Sequence, residues 1–189
     1  EAWAFSAKGA AENQILGTDV YVSTLQPKDK VKIHDESLVF VGYGVTAPER
    51  NWDDFKDVDL KGKVAVFLVN DPDFAAGSEE DVAGKFGGRA MTYYGRWTYK
   101  FEEASRRGAI GALIIHDTAG AGYGWNVIES PQGENYDIVR SADKLTSLQL
   151  QGWISAEASE RLFSRTGLDL TKLKTAARRA DFRPVEMDA

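Results

Sequence analysis

The sequence predicts an α/β fold in which a mixed β-sheet is flanked by two or three α-helices. The clearest strand is the apolar run AIGALII at residues 109–115, which is too short for a helix and reads as a strand covered on both faces. Before it, Trp97, Phe101 and Ala104 recur at the spacing of one helix face. Gly108 follows this pattern and can end the helix, because glycine readily adopts a left-handed conformation. We therefore expect Trp97 and Phe101 to face the core.

The N-terminal half is divided into short strands by glycine, proline and charged residues. Residues 19–25 and 31–33 are predicted as two strands around a turn, and residues 38–45 as a stronger strand. An acidic stretch then precedes a core strand at 63–69. The glycine-rich span 77–88 is predicted to be a mobile loop, since small residues at this density allow many backbone conformations.

The C-terminal half carries two helix-capping signals. Ser155 and Asp169 each stand directly before a helical pattern, where a side-chain oxygen can accept a hydrogen bond from a free backbone N–H. After the central strand, residues 120–136 are predicted to be an irregular excursion, and its length is typical of a functional loop. The predicted elements of this half are, in order, the excursion at 120–136, a strand at 148–154, helices ending near residues 167 and 179, and an exit strand at 182–185.

Composition indicates a folded globular protein and argues against several function classes. The 189 residues are 43% hydrophobic and 28% charged, which is ordinary for a domain with a substantial core. The net charge of −6, with no basic stripe between exposed aromatic residues, argues against a nucleic-acid partner. No run of 18 apolar residues exists, so no membrane span is predicted. The absence of cysteine excludes disulfides and thiol chemistry.

Two aromatic segments are the candidate contact sites. In the first, Tyr94 and Arg96 precede the central helix, where flat rings and a guanidinium could bind a peptide. In the second, Tyr123 and Trp125 follow the central strand in the turn AGYGWNV. We expect both segments to lie on one face, because loops at one edge of a sheet are where a rigid scaffold places binding groups.

Four blocks of the chain resemble the protease-associated (PA) domain that is inserted into bacterial M28-family zinc aminopeptidases. The blocks cover most of residues 37–167, whereas residues 1–36 and 168–189 match less clearly. The resemblance implies lead-in strands at 1–36, a PA core at 37–167 whose sheet curls toward a barrel, and a C-terminal helix and exit strand at 168–189. The four blocks are SLVFVGYGVTAPERNWDDFKDVDLKGKVAVFLVNDPDF, AMTYYGRWTYKFEEASRRGAIGALIIHD, AGYGWNV and LQLQGWISAEASERLF.

The resemblance also implies a division of labour between this chain and a catalytic domain elsewhere in the same polypeptide. M28 catalytic domains hold two zinc ions with histidine and carboxylate ligands that include an H-x-D motif. Here His34 begins an H-x-E sequence and His116 is followed directly by Asp117, so neither histidine makes that motif. We therefore predict no catalytic residue, metal ligand or cofactor in this chain, and two zinc ions in the catalytic domain.

By the same resemblance, the parent protein is a periplasmic or extracellular bacterial aminopeptidase, and this chain is a non-catalytic lid that shapes the pocket for a peptide substrate. In carboxypeptidase relatives, an arginine of the loop that corresponds to residues 46–52 points toward a substrate carboxylate. Arg50 is the single arginine of this loop here, although the loop sequence departs from those relatives. The start of the chain at Glu1, without methionine, is interpreted as a boundary set either by cloning or by processing.

A binding module that functions without a catalytic domain is the alternative hypothesis. Such a module would recognise a peptide, a carbohydrate or a protein partner through the loops at 91–100 and 120–136. Flanking sequence with H-x-D and Glu-Glu motifs would favour the lid, whereas a stop codon after Ala189 would favour the module.

Overall fold

A six-stranded mixed β-sheet forms the centre of the computed structural model, which describes residues 3–129, 138–139, 141 and 146–189. A β-hairpin, a second two-stranded ribbon, a 3₁₀ helix and five α-helices complete the described part of the chain. The strands are β1 (Trp3–Ala7), β2 (Ala10–Gln14), β3 (Val20–Ser23), β4 (Leu38–Phe40), β5 (Thr46–Ala47), β6 (Trp52–Asp53), β7 (Val64–Leu68), β8 (Gly111–Ile115), β9 (Leu150–Ile154) and β10 (Val185–Met187). The helices are α1 (Trp97–Arg106), α2 (Thr118–Ala121), α3 (Trp125–Glu129), α4 (Ala156–Thr166) and α5 (Leu170–Ala176), and the 3₁₀ helix is Pro48–Arg50.

The strand order is β10-β4-β7-β8-β9-β3, with four parallel strands inside and one antiparallel strand at each edge. The prediction of an α/β protein with a mixed sheet and flanking helices is confirmed. The described strands form an open sheet, and no closed barrel is formed among them. The edge strands come from the segments 1–36 and 168–189, so both of these segments add to the same sheet as the core.

Alternate residues of the central strands face two separate core layers. On β7, Val66 packs into a core with Phe163 of α4 and Leu170 of α5, whereas Phe67 packs into a core with Phe101 of α1. Since both faces are covered, β7 and β8 are buried along their whole length. This burial explains why they read as continuous apolar runs instead of alternating ones.

The central helix begins and ends close to its predicted bounds, but one of its predicted core residues is exposed. Gly108 follows α1 with φ +75°, which confirms its predicted left-handed conformation. Phe101 is buried as predicted, whereas Trp97 is 46% exposed, so the prediction for Trp97 is wrong. Trp97 is the first residue of α1, and its ring lies edge-on to Phe101 with centroids 6.0 Å apart. Its side chain therefore covers the core residue from outside.

The ends of the chain differ from the sequence-based predictions in three ways. The β1–β2 hairpin was not predicted, and the predicted strand at 31–33 is not formed. The exit strand lies at Val185–Met187 instead of 182–185. Short strands of this kind form only with a partner, and β10 has one because it pairs antiparallel with β4.

Candidate functional site

The four parallel strands end at one edge of the sheet, and the segments that follow them carry buried polar side chains. Tyr43 follows β4, Asn70 follows β7, His116 follows β8 and Ser155 follows β9, and all four are buried. In open parallel sheets this carboxyl edge is where ligands bind, because loops there rest on a rigid base. The candidate site is therefore built from this edge.

Asn70, at the end of β7, forms hydrogen bonds with both predicted contact segments. It adopts a left-handed backbone conformation with φ 75°, which asparagine tolerates better than most residues. Its backbone N–H donates to the Gly95 carbonyl over 3.1 Å, and its side-chain amide donates to the Gly120 carbonyl over 2.6 Å. The segment with Tyr94 and Arg96 and the segment leading to Tyr123 thus leave the same edge of the sheet.

The structure brings Arg50 next to Tyr94 of the first segment. The Tyr94 hydroxyl donates to Glu49 Oε1 over 2.9 Å, and the Arg50 guanidinium lies 5.6 Å from the Tyr94 ring centroid and 5.1 Å from that of Phe86. Arg50 also donates to Glu49 Oε1 over 3.1 Å and to the Lys85 carbonyl over 2.6 Å. Two of its donor groups are therefore engaged inside the protein, which leaves fewer for a substrate carboxylate.

Arg96 stands apart from this group. It precedes the first residue of α1, and its exposed side chain makes no hydrogen bond or ion pair with the residues that the structure describes. Tyr93 and Trp97 on either side are 51% and 46% exposed, although the Tyr93 hydroxyl donates to Glu102. We call Tyr93, Arg96 and Trp97 the 93–97 surface. It combines two accessible rings with a guanidinium that has no partner in the described part of the chain, and such a combination suits polar ligands with apolar parts.

Tyr123 and Trp125, the predicted contacts of the second segment, are half-buried and surround His116. The His116 ring lies 5.6 Å from the Trp125 ring and 5.9 Å from the Trp153 ring, and its Nε2 lies 3.1 Å from the Tyr123 carbonyl oxygen. Burial raises the pKa of Tyr123. The Trp125 indole N–H donates to the Gly17 carbonyl over 2.6 Å. Much of this cluster therefore packs within the domain.

The two segments share an edge but pack against different sides of the sheet. Tyr94 packs on the core layer beneath α4 and α5, whereas Tyr123 and Trp125 pack on the layer beneath α1. Residues 130–136 of the predicted 120–136 loop lie outside the described residues. The two segments share an edge of the sheet, but their placement on one face and their role as contacts both stay predictions.

Lys100 is a residue of this region that the sequence reasoning missed. It is fully buried, and its ammonium donates to the Tyr43 carbonyl over 2.5 Å and to the Asn70 carbonyl over 3.1 Å. Burial lowers its pKa to about 8, while the nearby carboxylates of Asp71 and Asp54 oppose this shift. The available signal was its spacing, because Lys100 lies three residues after Trp97 and four before Ala104.

Asp54 is a second buried ionisable group beside this edge. Its carboxylate accepts hydrogen bonds from the Val45 backbone over 2.9 Å and from the Trp52 indole over 2.8 Å. Burial raises the pKa of Asp54 to about 7, against the effects of these bonds and of Lys100. The site therefore holds two groups whose burial favours their neutral forms.

The glycine-rich span 77–88, predicted to be mobile, is tied to the rest of the domain at several points. Asp73 accepts hydrogen bonds from the backbone N–H groups of Phe86 and Gly88, over 2.9 and 3.1 Å. Arg178 forms an ion pair with Glu80 over 2.8 Å. Together with the Arg50 contact at Lys85, these bonds hold the span beside the first contact segment.

The two histidines lie in different surroundings. His34 and Asp35 are exposed neighbours whose side chains approach to 2.7 Å, whereas His116 is enclosed by aromatic rings. Among the described residues, no group of three or more His, Cys, Asp or Glu side chains is arranged to hold a metal ion. Among the same residues, no helix is long and apolar enough to cross a membrane.

No protein-family model matches the chain, and no curated protein matches it at a significant level.

Proposed function

We propose that this chain is a non-catalytic PA-type domain that shapes the substrate pocket of an M28-like dizinc aminopeptidase. The observation that carries the proposal is the 93–97 surface, in which Arg96 is exposed, has no side-chain partner among the described residues, and is flanked in sequence by two exposed aromatic residues at the carboxyl edge of the sheet. The four sequence blocks that resemble the PA domain supply the family context. In this proposal the open sheet corresponds to a PA sheet that curls toward a barrel.

The proposed domain acts by position instead of chemistry. Aromatic side chains bury area at a low cost in conformational entropy, and a guanidinium can pair with a carboxylate through two parallel hydrogen bonds. Placed over a cleft, such a surface excludes water and orients the peptide, which increases the effect of the metal ions on the reacting carbonyl. The two zinc ions and the catalytic groups belong to the partner catalytic domain, and the peptide is the substrate of that domain.

The proposal assigns different tasks to the predicted contact residues. Arg96 is the substrate contact, since its guanidinium has no partner among the described residues. Tyr94 and Arg50 support the same edge through Glu49, and Tyr123 and Trp125 form the boundary with the catalytic domain. The periplasmic or extracellular location of the parent is part of the same proposal and rests on the resemblance alone.

A free-standing module that binds a peptide, a carbohydrate or a protein is the second candidate. It is favoured by the same observation, because every residue of the 93–97 surface is present in this chain. Such a module would bind its ligand with this chain alone, whereas a lid would need the catalytic domain for turnover.

The coding sequence around this chain, together with activity measurements, distinguishes the two candidates. We expect flanking sequence with H-x-D and Glu-Glu motifs, a complete polypeptide that hydrolyses aminoacyl chromogenic substrates, and no hydrolysis by this chain alone. A gene that ends at Ala189, or turnover by the isolated chain that is lost in His34→Ala or His116→Ala, would overturn the proposal.

A further inference from the structure

Both contact segments are connected through one buried network at the end of β7. Asn70 binds Gly95 in the first segment and Gly120 in the second, and its carbonyl accepts a hydrogen bond from Lys100. Asp71 extends the network, because its carboxylate accepts from the backbone N–H of Thr92 over 2.6 Å and from its hydroxyl over 2.7 Å. All of these links lie at buried or half-buried residues.

We infer that Asn70 and Lys100 are positioning residues that couple the two contact segments, so that residues 92–97 and residues 118–125 change their arrangement together. The inference rests on the proposed function only for the role of these segments as contacts. The coupling itself is a property of the fold and can be tested without substrate.

Asn70 suits this task because both ends of its side chain are used. The amide N–H donates to Gly120, and the amide oxygen accepts from the Asp71 backbone N–H over 2.7 Å. Glycine would keep the left-handed backbone at no steric cost but would lose both side-chain bonds. Asn70→Gly therefore cuts the link to the second segment while it leaves the backbone bond to Gly95 in place.

Lys100 provides a way to perturb the network from inside. Its ammonium faces the carboxylates of Asp71 and Asp54 on the neighbouring loops and lies 6.0 Å from the ring centroid of Tyr99 on its own helix. Because burial lowers the pKa of Lys100 to about 8, mild alkali removes this charge while an exposed lysine keeps its own. The hydrogen bonds from Lys100 to the Tyr43 and Asn70 carbonyls are then weakened, because they lose the assistance of the positive charge.

Fluorine NMR of the protein labelled with 5-fluorotryptophan measures the response of each segment separately. Trp97 reports on the first segment and Trp125 on the second, and their signals are assigned with Trp97→Phe and Trp125→Phe. Between about pH 7 and about pH 9.5, we expect both signals to shift with a common midpoint near the pKa of Lys100. In Lys100→Met with Asp54→Asn, which also removes the titration of the neighbouring Asp54, we expect neither signal to shift in this range.

Asn70→Gly is the decisive variant, and it also serves if this double variant fails to fold. We expect the Trp97 signal still to shift with pH and the Trp125 shift to be lost. Asn51→Gly is the matched control, since Asn51 is also left-handed at φ 50° but is exposed, and it should leave both shifts intact. A Trp125 shift that persists in Asn70→Gly, or different midpoints for the two signals in the wild type, would overturn the coupling.

Discussion

Replacing Gly44 or Gly108 by alanine should destabilise the domain to very different extents. Both glycines have positive φ, +60° and +75°, so each alanine carries a conformational cost of about 1–2 kcal/mol. At Gly108 the added Cβ would have its nearest neighbour, Lys61, at 3.7 Å, which is an ordinary contact. At Gly44 it would lie 2.3 Å from Cε1 of Phe67, a fully buried residue of β7.

The extra cost at Gly44 follows from the packing around Phe67. Overfilling a packed core costs about 1–3 kcal/mol, and here the ring has no open space to enter because Phe55 lies 3.3 Å from the same Cβ position. We therefore expect Gly44→Ala to lower the free energy of unfolding by about 3 kcal/mol or more, and Gly108→Ala by about 1 kcal/mol.

Urea unfolding followed by far-ultraviolet circular dichroism measures both variants under the same conditions. A cooperative transition with an unchanged slope allows the two midpoints to be converted to free energies. Equal losses in the two variants would show that Phe67 does not restrict Gly44. An unchanged or raised midpoint in Gly108→Ala would show that alanine at position 108 is not strained, which would contradict a left-handed helix stop that requires glycine.

Two further predictions concern a buried acid and the helix caps. Below pH 7 native Asp54 keeps a proton that the unfolded chain releases near its ordinary pKa of 3.8, so the contribution of Asp54 to the free energy of unfolding falls as pH rises through this range. The free energy of unfolding of the wild type minus that of Asp54→Asn should therefore fall by a few kcal/mol from pH 4 to pH 7 in urea unfolding, since one pKa unit is about 1.4 kcal/mol. A difference that stays constant over this range would contradict the prediction. Ser155→Ala removes the buried cap on the Ala158 N–H and should cost about 1 kcal/mol of stability in thermal unfolding. Asp169→Ala removes the exposed cap on the Lys172 N–H and should cost less. The reverse order would contradict the role of burial.

Local patterns predicted much of the fold because their causes lie within a few residues of sequence. The α1–β8 unit follows from helical spacing, a glycine stop and an apolar run. The caps at Ser155 and Asp169 are confirmed by side-chain bonds to the N–H groups of Ala158 and Lys172, over 3.2 and 3.0 Å. In each case the partner lies three residues away, so the sequence contains the whole interaction.

The parts that escaped prediction depend on partners far away in the chain. Lys100 is buried because the Tyr43 and Asn70 carbonyls satisfy its ammonium, and these residues are separated from it by 57 and 30 positions. The Asn70 link to Gly120 spans 50 positions. A lysine or an asparagine in a polar stretch gives no sign of such partners, so the network behind the candidate site becomes visible only in the folded chain.

Arg96→Ala in the complete polypeptide tests the central claim most directly. Arg179→Ala is the matched control, because Arg179 is an exposed arginine paired with its own neighbour, Asp181. If the 93–97 surface contacts the peptide, Arg96→Ala should lower kcat/KM for peptide hydrolysis by an amount equivalent to about 1–3 kcal/mol, with unchanged zinc content and unfolding midpoint. Kinetics of Arg96→Ala that match those of the wild type and of Arg179→Ala would contradict the account.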